Sequence, residues 1–362
     1  MILILYVNSG AGSRSLADVI SRELANKYID NKIVSLHNLI PSWLNSFLFG
    51  NYEQWCNDGK NYFSWIYSSR YFYPLLYKVL PLLLKIKGND KKLSASDLIK
   101  SADAIICCSF FCAWFAKYYQ RLSGVKRRIY GVLGDYTISP GWQLSLDGIF
   151  TSHQYDSFVF DYIKKSGGSL HVSGVPANSF CADNLVMKGN VLLCGGGWGL
   201  GITTSSISKI LSVKNLRKLI VVCGTNHQLY NCLCGEFENE ISQGVLEVFA
   251  FVDDMSSVYS QIGVVITKAG GLTLTEAALL CKPIIICGYL PGHEEKNMEV
   301  FTKHNAAVYA PDSYSLCEEL AKILSGDKLS NVLTQNASML VNEDASMFIC
   351  NTVSKELNYV DA

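Results

Sequence analysis

The sequence predicts an α/β protein made of two Rossmann-like domains in tandem. Three observations carry this reading. Short apolar or β-branched runs alternate with helical patterns along the 362 residues, each half opens with a strand feeding a glycine-rich turn, and a polar stretch follows Gly174-Val175-Pro176. In the first half, strands are expected at Ile2–Val7, Ile33–Leu36, Ala104–Cys108, Ile129–Leu133, Gly148–Thr151 and His171–Val172. In the second they are expected at Asn190–Cys194, Lys218–Cys223, Val245–Phe249, Val264–Thr267, Pro283–Cys287 and Ala307–Tyr309. Most are apolar throughout rather than alternating, as strands covered by helices on both faces must be. The stretch from Pro176 to Gly189 reads as the linker, and the length suits two domains.

With 49% hydrophobic and 17% charged residues, the chain is not intrinsically disordered. Its zero net charge hides an asymmetry. Residues 1–175 hold 19 Lys and Arg against 12 Asp and Glu, a balance of +7, and residues 176–362 hold the reverse, −7. A basic half fits an anionic partner such as a membrane surface, while local clustering on solvated faces gives the same count. The basic excess is diffuse, with Lys126-Arg127-Arg128 its tight cluster, which argues against a nucleic-acid partner.

The 13 cysteines are odd in number and mostly embedded in apolar runs such as Ile105-Ile106-Cys107-Cys108, so they read as small hydrophobes in a reducing cytoplasm. Cys232 and Cys234 have no second pair at zinc-finger spacing. The start, Met1 to Val7, runs straight into a glycine turn and reads as a strand rather than a signal peptide. The stretch Tyr71–Ile86 is broken by Lys78, Pro74 and Pro81 and does not span a bilayer.

One segment fits the alternation poorly. Tyr52, Trp55, Tyr62, Phe63, Trp65, Tyr67, Tyr71, Phe72, Tyr73 and Tyr77 precede Lys78, Lys85, Lys87, Lys91 and Lys92. Aromatics beside lysines suit a membrane interface, and they equally suit a helical insertion packed on the first sheet.

The clearest chemistry lies in the second half. The strand Val191–Cys194 leads into Gly195-Gly196-Gly197-Trp198-Gly199-Leu200-Gly201, then Thr203, Thr204 and a helical pattern. Glycines let backbone N–H groups approach an anion, and a helix start adds its positive dipole end, so a diphosphate is the natural guest. A second strand, Val264–Thr267, leads into Lys268-Ala269-Gly270-Gly271-Leu272-Thr273-Leu274-Thr275-Glu276. Lys268 supplies a cation, Gly270 and Gly271 amides, and Thr273 a hydroxyl. Glu276, one turn beyond Thr273, is placed for the two hydroxyls of a ribose or, alternatively, for a first-turn acid complementing the helix dipole. A third loop, Tyr289 to Asn297, follows the next strand and offers His293 and Glu294 to sugar hydroxyls. Strand carboxyl ends collect ligands in open α/β sheets, so these loops are expected to share one crevice.

The ordered set Val175-Pro176, Gly195–Gly201, Val222-Cys223-Gly224-Thr225-Asn226, Phe251-Val252-Asp253-Asp254-Met255, Thr267–Glu276 and Pro291–Asn297 resembles glycosyltransferase family 28 enzymes. The likeness is to monogalactosyldiacylglycerol synthase and processive diacylglycerol glucosyltransferase, and more distantly to the lipid II N-acetylglucosaminyltransferase. It covers most of residues 170–310, and the first half matches loosely.

The resemblance implies a GT-B fold, two Rossmann-like domains facing each other across a cleft. It places the acceptor and membrane side in residues 1–183, the UDP-sugar site in 184–343, and a C-terminal helix, 344–362, packing back on the first domain. It implies inverting, metal-independent transfer from a UDP-sugar, without a further cofactor, to a lipid or lipid-linked acceptor. The location implied is cytoplasmic, peripheral to the inner face of the cell membrane, against anionic lipid. Carried over, Gly197, Gly199 and Gly201 face the diphosphate with Asn226 nearby, and Phe251 and Val252 hold the uracil. Glu276 takes the ribose; Lys268, Gly270, Gly271, Leu272 and Thr273 crowd the phosphates; His293 and Glu294 stand where the family usually has Gln-Glu for the donor sugar. The Pro of the family's Lys-Pro-Gly-Gly turn is Ala269 here, which loses preset φ but no binding group.

The acceptor half departs from the family. Ser13, after Asn8-Ser9-Gly10-Ala11-Gly12, stands where a Gly-His turn has its histidine. The Thr-His pair becomes Cys108-Ser109, and in Gly134-Asp135-Tyr136-Thr137-Ile138-Ser139-Pro140-Gly141-Trp142 a further histidine is Ser139. Serine is too weakly basic to act unassisted, so Asp135 becomes the expected base and Ser13 a hydrogen-bond donor to acceptor or phosphate. Asp135 also reads as a cap or turn acid before Pro140. Two other functions stay open: a catalytically silent nucleotide-binding or regulatory GT-B protein, and, less favoured, a UDP-sugar epimerase.

Overall fold

The structure, a computed structural model, describes residues 1–8, 10–50, 69–178, 188–326 and 328–359. Tyr52, Trp55, Tyr62, Phe63, Trp65 and Tyr67 lie outside the described residues, as do Ser9 and the expected 183/184 boundary. The chain forms two compact units. One is Met1–Ala177 with Pro291–His293 and Glu343–Ala362; the other is Asn178–Leu290 with Glu294–Asn342.

The first unit is built on a parallel sheet of β1 (Ile2–Tyr6), β2 (Asn31–Ser35), β3 (Ala104–Cys107), β4 (Arg128–Val132), β5 (Gly148–Thr151) and β6 (Ser169–Val172), in the order β2-β1-β3-β4-β5-β6. The second carries β7 (Asn190–Cys194), β8 (Lys218–Val222), β9 (Leu246–Phe249), β10 (Val264–Lys268), β11 (Ile284–Gly288) and β12 (Val308–Tyr309), in the order β12-β11-β10-β7-β8-β9. Each strand read from the sequence is present, with ends within two residues of the expected ones. The largest offsets, at the starts of β2 and β6, fall on edge strands, where Asn31, Lys32 and Ser169 extend the ladder without needing to be apolar.

Central strands are sealed on both faces. Ala104–Cys107 and Gly148–Thr151 are buried throughout, and helices such as Gly12–Asn26 and Phe110–Ser123 contribute Leu16, Ile20, Leu24, Cys112 and Phe115 to that core. In the second unit Ile207 and Ile210 of the helix Thr204–Leu211, with Leu316, Leu320 and Ile323 of the helix Ser313–Leu324, join Val191, Leu193, Val264 and Ile266. At the C-terminus the helix Ala345–Glu356 buries Ile349, Cys350 and Val353 in the first unit, and Glu356 closes it by accepting from Arg128 Nη1 and Tyr130 Oη, each at 2.7 Å. Among the described residues no helix is long and apolar enough to cross a membrane.

Both sheets reverse strand order once, between β1 and β3 in the first unit and between β7 and β10 in the second. Chains leaving neighbouring strands at such a point diverge, and the gap they leave is where open α/β sheets hold ligands.

Candidate functional site

In the second unit, β7 and β10 pair in register from Val191↔Val264 to Cys194↔Thr267, so their following turns leave the sheet side by side. The turn after β7 is folded on its own backbone: Leu200 N–H donates to Gly195 O at 3.0 Å and Gly199 N–H to Gly196 O at 3.1 Å. It is tied to the turn after β8, because Thr225 N–H and Thr225 Oγ1 both donate to the Gly197 carbonyl, at 2.8 and 3.0 Å. Gly199 has φ +62° and a Cβ there would lie 2.4 Å from Cys223 O, so a side chain does not fit. Gly201 follows, exposed, and the next helix, Thr204–Leu211, is closed by a capping box between Thr203 and Ser206.

The turn after β10 is different. The helix Gly271–Leu279 has Gly270 at its N-cap and no side-chain cap, so the first-turn amides of Gly271, Leu272 and Thr273 carry the full positive end of the dipole, about half an elementary charge. Lys268 Nζ donates to Glu294 Oε1, and Leu290 N–H donates to Glu294 Oε2 at 2.7 Å. The Lys268 side chain crosses the neighbouring turn so closely that a Cβ on Gly196 would lie 2.7 Å from Lys268 Cε. Lys268, Gly196, Gly270 and Glu294 therefore meet at one place.

Glu276 lies in the second turn of its helix, not the first, because the helix begins at Gly271 rather than Thr273. The dipole-complementing alternative is thereby corrected. The carboxylate is engaged from two sides: Tyr259 Oη donates to Oε2 at 3.0 Å and Asn178 Nδ2 to Oε1 at 3.2 Å. Tyr259 is 2% exposed, and burial with the Glu276 charge pushes its phenol well above the usual range. The Cys194 thiol at the end of β7 is raised to about 11, mainly by burial and further by the Glu276 charge, with Lys268 acting against it. Tyr259 and Asn178 escaped the sequence reading, as did buried Asn297, whose Nδ2 donates to Ala269 O at 3.1 Å and braces the Lys268 turn. Nothing local marks Tyr259 or Asn178; Asn297 stood in the third loop, a turn beyond Glu294.

The remaining expected donor residues are more peripheral. Asn226 Oδ1 accepts from Leu229 N–H at 2.9 Å and so caps the helix His227–Glu236. Exposed Phe251 and half-buried Val252 follow β9, two strands from β7, about 10 Å across the sheet. His293, half-buried, opens the helix His293–Lys303 and groups with the first unit, whereas its neighbour Glu294 groups with the second. Among the described residues no cluster of three or more His, Cys, Asp or Glu is arranged to hold a metal ion.

In the first unit, Ser13, Ser109 and Ser139 each serve the backbone. Ser13 Oγ accepts from Val7 N–H at 3.2 Å and donates to Cys108 O at 3.3 Å, stapling the turn after β1 to the end of β3. Ser109 Oγ accepts from Phe111 N–H at 3.3 Å at the start of Phe110–Ser123. Ser139, 1% exposed, accepts from Gly141 N–H at 3.2 Å and caps the short turn Pro140–Trp142, so the cap before Pro140 is Ser139 and not Asp135.

Half-buried Asp135 follows β4, and its charge reaches Tyr155, whose phenol is raised first by burial and further by that carboxylate. His153, after the adjacent β5, packs its ring 4.8 Å from Tyr155, and its Nδ1 lies 2.9 Å from Ser152 Oγ. The sequence reading passed over it.

The aromatic segment resolves in part. In the helix Phe72–Lys87, Tyr73 packs on Phe110 at 4.8 Å, and Tyr77 stacks on Trp114 at 5.4 Å while its Oη donates to Gly141 O at 2.8 Å. These two tyrosines are core. The outward face carries instead Leu75, Val79, Leu82 and Ile86 at helical spacing, with exposed Lys78 and Lys85 beside them.

Residues 190–349 match the glycosyltransferase family 28 C-terminal domain. The chain is 24% identical over 259 residues to a processive diacylglycerol beta-glucosyltransferase of Bacillus thuringiensis (strain Al Hakam), covering 67% of this chain and 65% of that relative's length. A protein of the same name from Bacillus pumilus (strain SAFR-032) is 22% identical over 378 residues, covering 99% of this chain and 96% of it. Among solved structures, Acinetobacter baumannii MurG aligns over 98% of this chain and 99% of its own with TM-score 0.60 and 15% identity. A Staphylococcus aureus MnaA–UDP structure aligns over 100% and 98% with TM-score 0.59 and 12% identity. Two parallel sheets and a ligand-type switch point agree with these likenesses: residues 190–349 match the glycosyltransferase family 28 C-terminal domain, on a chain with the two Rossmann-like units of the GT-B fold.

Proposed function

We propose that this protein transfers a hexose or N-acetylhexosamine from a UDP-sugar to a lipid or lipid-linked acceptor, with inversion and without a metal, at the inner face of the cell membrane. The observation that carries this is the convergence at the β7–β10 switch point. A folded glycine turn, an uncapped helix start and the Lys268 ammonium meet there within one unit, and the Glu276 carboxylate stands in the second turn of that helix. Amides and ammonium suit a diphosphate, and a carboxylate held by Tyr259 and Asn178 suits a ribose diol. The UDP in the Staphylococcus aureus structure and the lipid named for the Bacillus relatives agree with that reading.

The chemistry required is an in-line displacement. An acceptor hydroxyl attacks the anomeric carbon, the bond to the diphosphate oxygen breaks, and UDP leaves with the electron pair. The turn amides and Lys268 stabilise the charge that accumulates on the leaving diphosphate. The hydroxyl's proton goes to Asp135, the carboxylate at the end of β4, with Ser13 reduced to shaping the turn after β1. Gly197, Gly199, Gly201, Gly270, Gly271, Leu272 and Thr273 line the phosphates, Asn226, Phe251 and Val252 the nucleoside side, and His293 the donor sugar.

Membrane contact is assigned to the outward stripe Leu75, Val79, Leu82 and Ile86, whose lysine neighbours meet anionic headgroups as the side chains enter the acyl boundary. A second reading is favoured by one observation: all three serines at the histidine positions are engaged in backbone hydrogen bonds, as expected of a nucleotide-binding protein without transfer activity.

Calorimetric titration with UDP, UDP-glucose, UDP-galactose and UDP-N-acetylglucosamine, followed by UDP release in the presence of diacylglycerol vesicles, tests both. Binding with release supports transfer, binding without release across lipid acceptors supports the silent reading, and no binding rejects the donor site.

A further inference from the structure

Resting on the donor-site reading above, we propose that Glu294 is an internal competitor of the donor's diphosphate. It holds the Lys268 ammonium in the free protein and reclaims it as UDP leaves. The family resemblance would give this carboxylate to the donor sugar, but its geometry serves the lysine. Glu294 is 3% exposed, and both carboxylate oxygens are engaged within the second unit, Oε1 by Lys268 Nζ and Oε2 by the Leu290 amide at 2.7 Å. Its place is fixed by the first turn of the helix His293–Lys303 and by that amide, so the carboxylate is anchored and the lysine is the mobile partner.

Lys268 reaches this carboxylate close over the glycine turn, where Gly196 has φ +69° and a Cβ would lie 2.7 Å from Cε. A Cβ on Gly270 would lie 3.5 Å from Nζ and 3.8 Å from Glu294 Oε1, so the ion pair borders the uncapped helix start as well. The ammonium thus stands between the two sets of amides that receive phosphate, with the carboxylate adjoining it.

Charge arithmetic then decides the effect. A half-buried ammonium is stabilised by an anion beside it, and the free protein supplies one, the buried Glu294, from its own chain. An arriving diphosphate offers a second anion to the same donors. The ammonium is shared or transferred, so the carboxylate withholds part of the attraction that the phosphates would otherwise receive from it. Glu294 therefore weakens nucleotide binding, which speeds release of the product UDP, and it acts on UDP and UDP-sugar alike because it acts through Lys268.

The test is isothermal titration of UDP and UDP-glucose into wild type, Glu294→Gln, Glu294→Asp, Lys268→Met and the Lys268→Met/Glu294→Gln double variant. The expected result is that Glu294→Gln binds both nucleotides about tenfold more tightly, by equal factors. Lys268→Met binds both more weakly, and in its background the Glu294 effect vanishes. Glu294→Asp, which keeps the charge but shortens its reach, shifts affinity in the same direction by less and stands in should Glu294→Gln fail to fold. Glu294→Gln weakening UDP-glucose alone would show a sugar contact and overturn the proposal, as would unchanged or reduced UDP affinity. Wild type that binds no uridine nucleotide would instead reject the donor-site reading itself.

Discussion

The two switch points of this molecule share a topology and differ in the side chains that cross them. Between β7 and β10, the turns are glycine-rich, and the helix after β10 starts without a side-chain cap. Between β1 and β3, Ser13 bridges one turn to the other strand end and Ser109 caps the helix that follows. Each point pairs a capped helix with an uncapped one, Thr204–Leu211 with Gly271–Leu279 and Phe110–Ser123 with Gly12–Asn26. The difference lies in what crosses the gap: the charged Lys268–Glu294 pair in the second unit and the neutral Ser13 bridge in the first. Glycine content and an uncapped helix start are therefore not enough to mark a site; the charge set beside the turn is what separates the two regions.

That contrast is tested most severely at the carboxylate after β4. Asp135→Asn removes the proposed base and should lower sugar transfer by roughly 10²–10⁴-fold while UDP affinity stays unchanged. Release of UDP from UDP-glucose, measured beside titration of UDP, checks both halves. Wild-type turnover in that variant would move the base elsewhere, with His153 beside Tyr155 the next group to test.

Next come paired substitutions, one in each region. Gly199→Ala forces a side chain into φ +62° and against Cys223 O, and should cost about 1–3 kcal/mol with a loss of UDP affinity. Ser139→Ala removes a buried cap and should cost about 1 kcal/mol of stability without altering UDP affinity. Urea unfolding and calorimetry separate the two, and equal effects on UDP would erase the distinction between the regions. The mildest change is expected at the outward stripe. Leu82→Ser should lower partitioning onto vesicles containing anionic lipid by about three- to tenfold, read by co-sedimentation, leaving UDP affinity intact.

Much of the fold was legible because burial on both faces writes itself as continuous apolar runs. Ile105-Ile106 and Ile284-Ile285-Ile286 needed no partner to be recognised. Edge strands were less legible at their polar ends, as Asn31 and Ser169 show. In the site, the glycine turns stood out because few other reasons place so many glycines after a strand. The side chains completing them did not. Lys268 and Glu294 are 26 positions apart and meet only once two strand ends and a helix are in place. Tyr259 reaches Glu276 from a four-residue helix whose sequence, Ser-Ser-Val-Tyr, announces nothing. The aromatic segment shows the converse error of composition without direction: Tyr73 and Tyr77 turn inward, and Leu75, Val79, Leu82 and Ile86 of the same helix turn out.

Adding uridine to the UDP titration isolates the diphosphate's share of binding most directly. The turns after β7 and β10 should make UDP bind the wild-type protein at least about a hundredfold more tightly than uridine, a difference of about 2.7 kcal/mol. Equal affinities for the two, or none for either, would contradict the account.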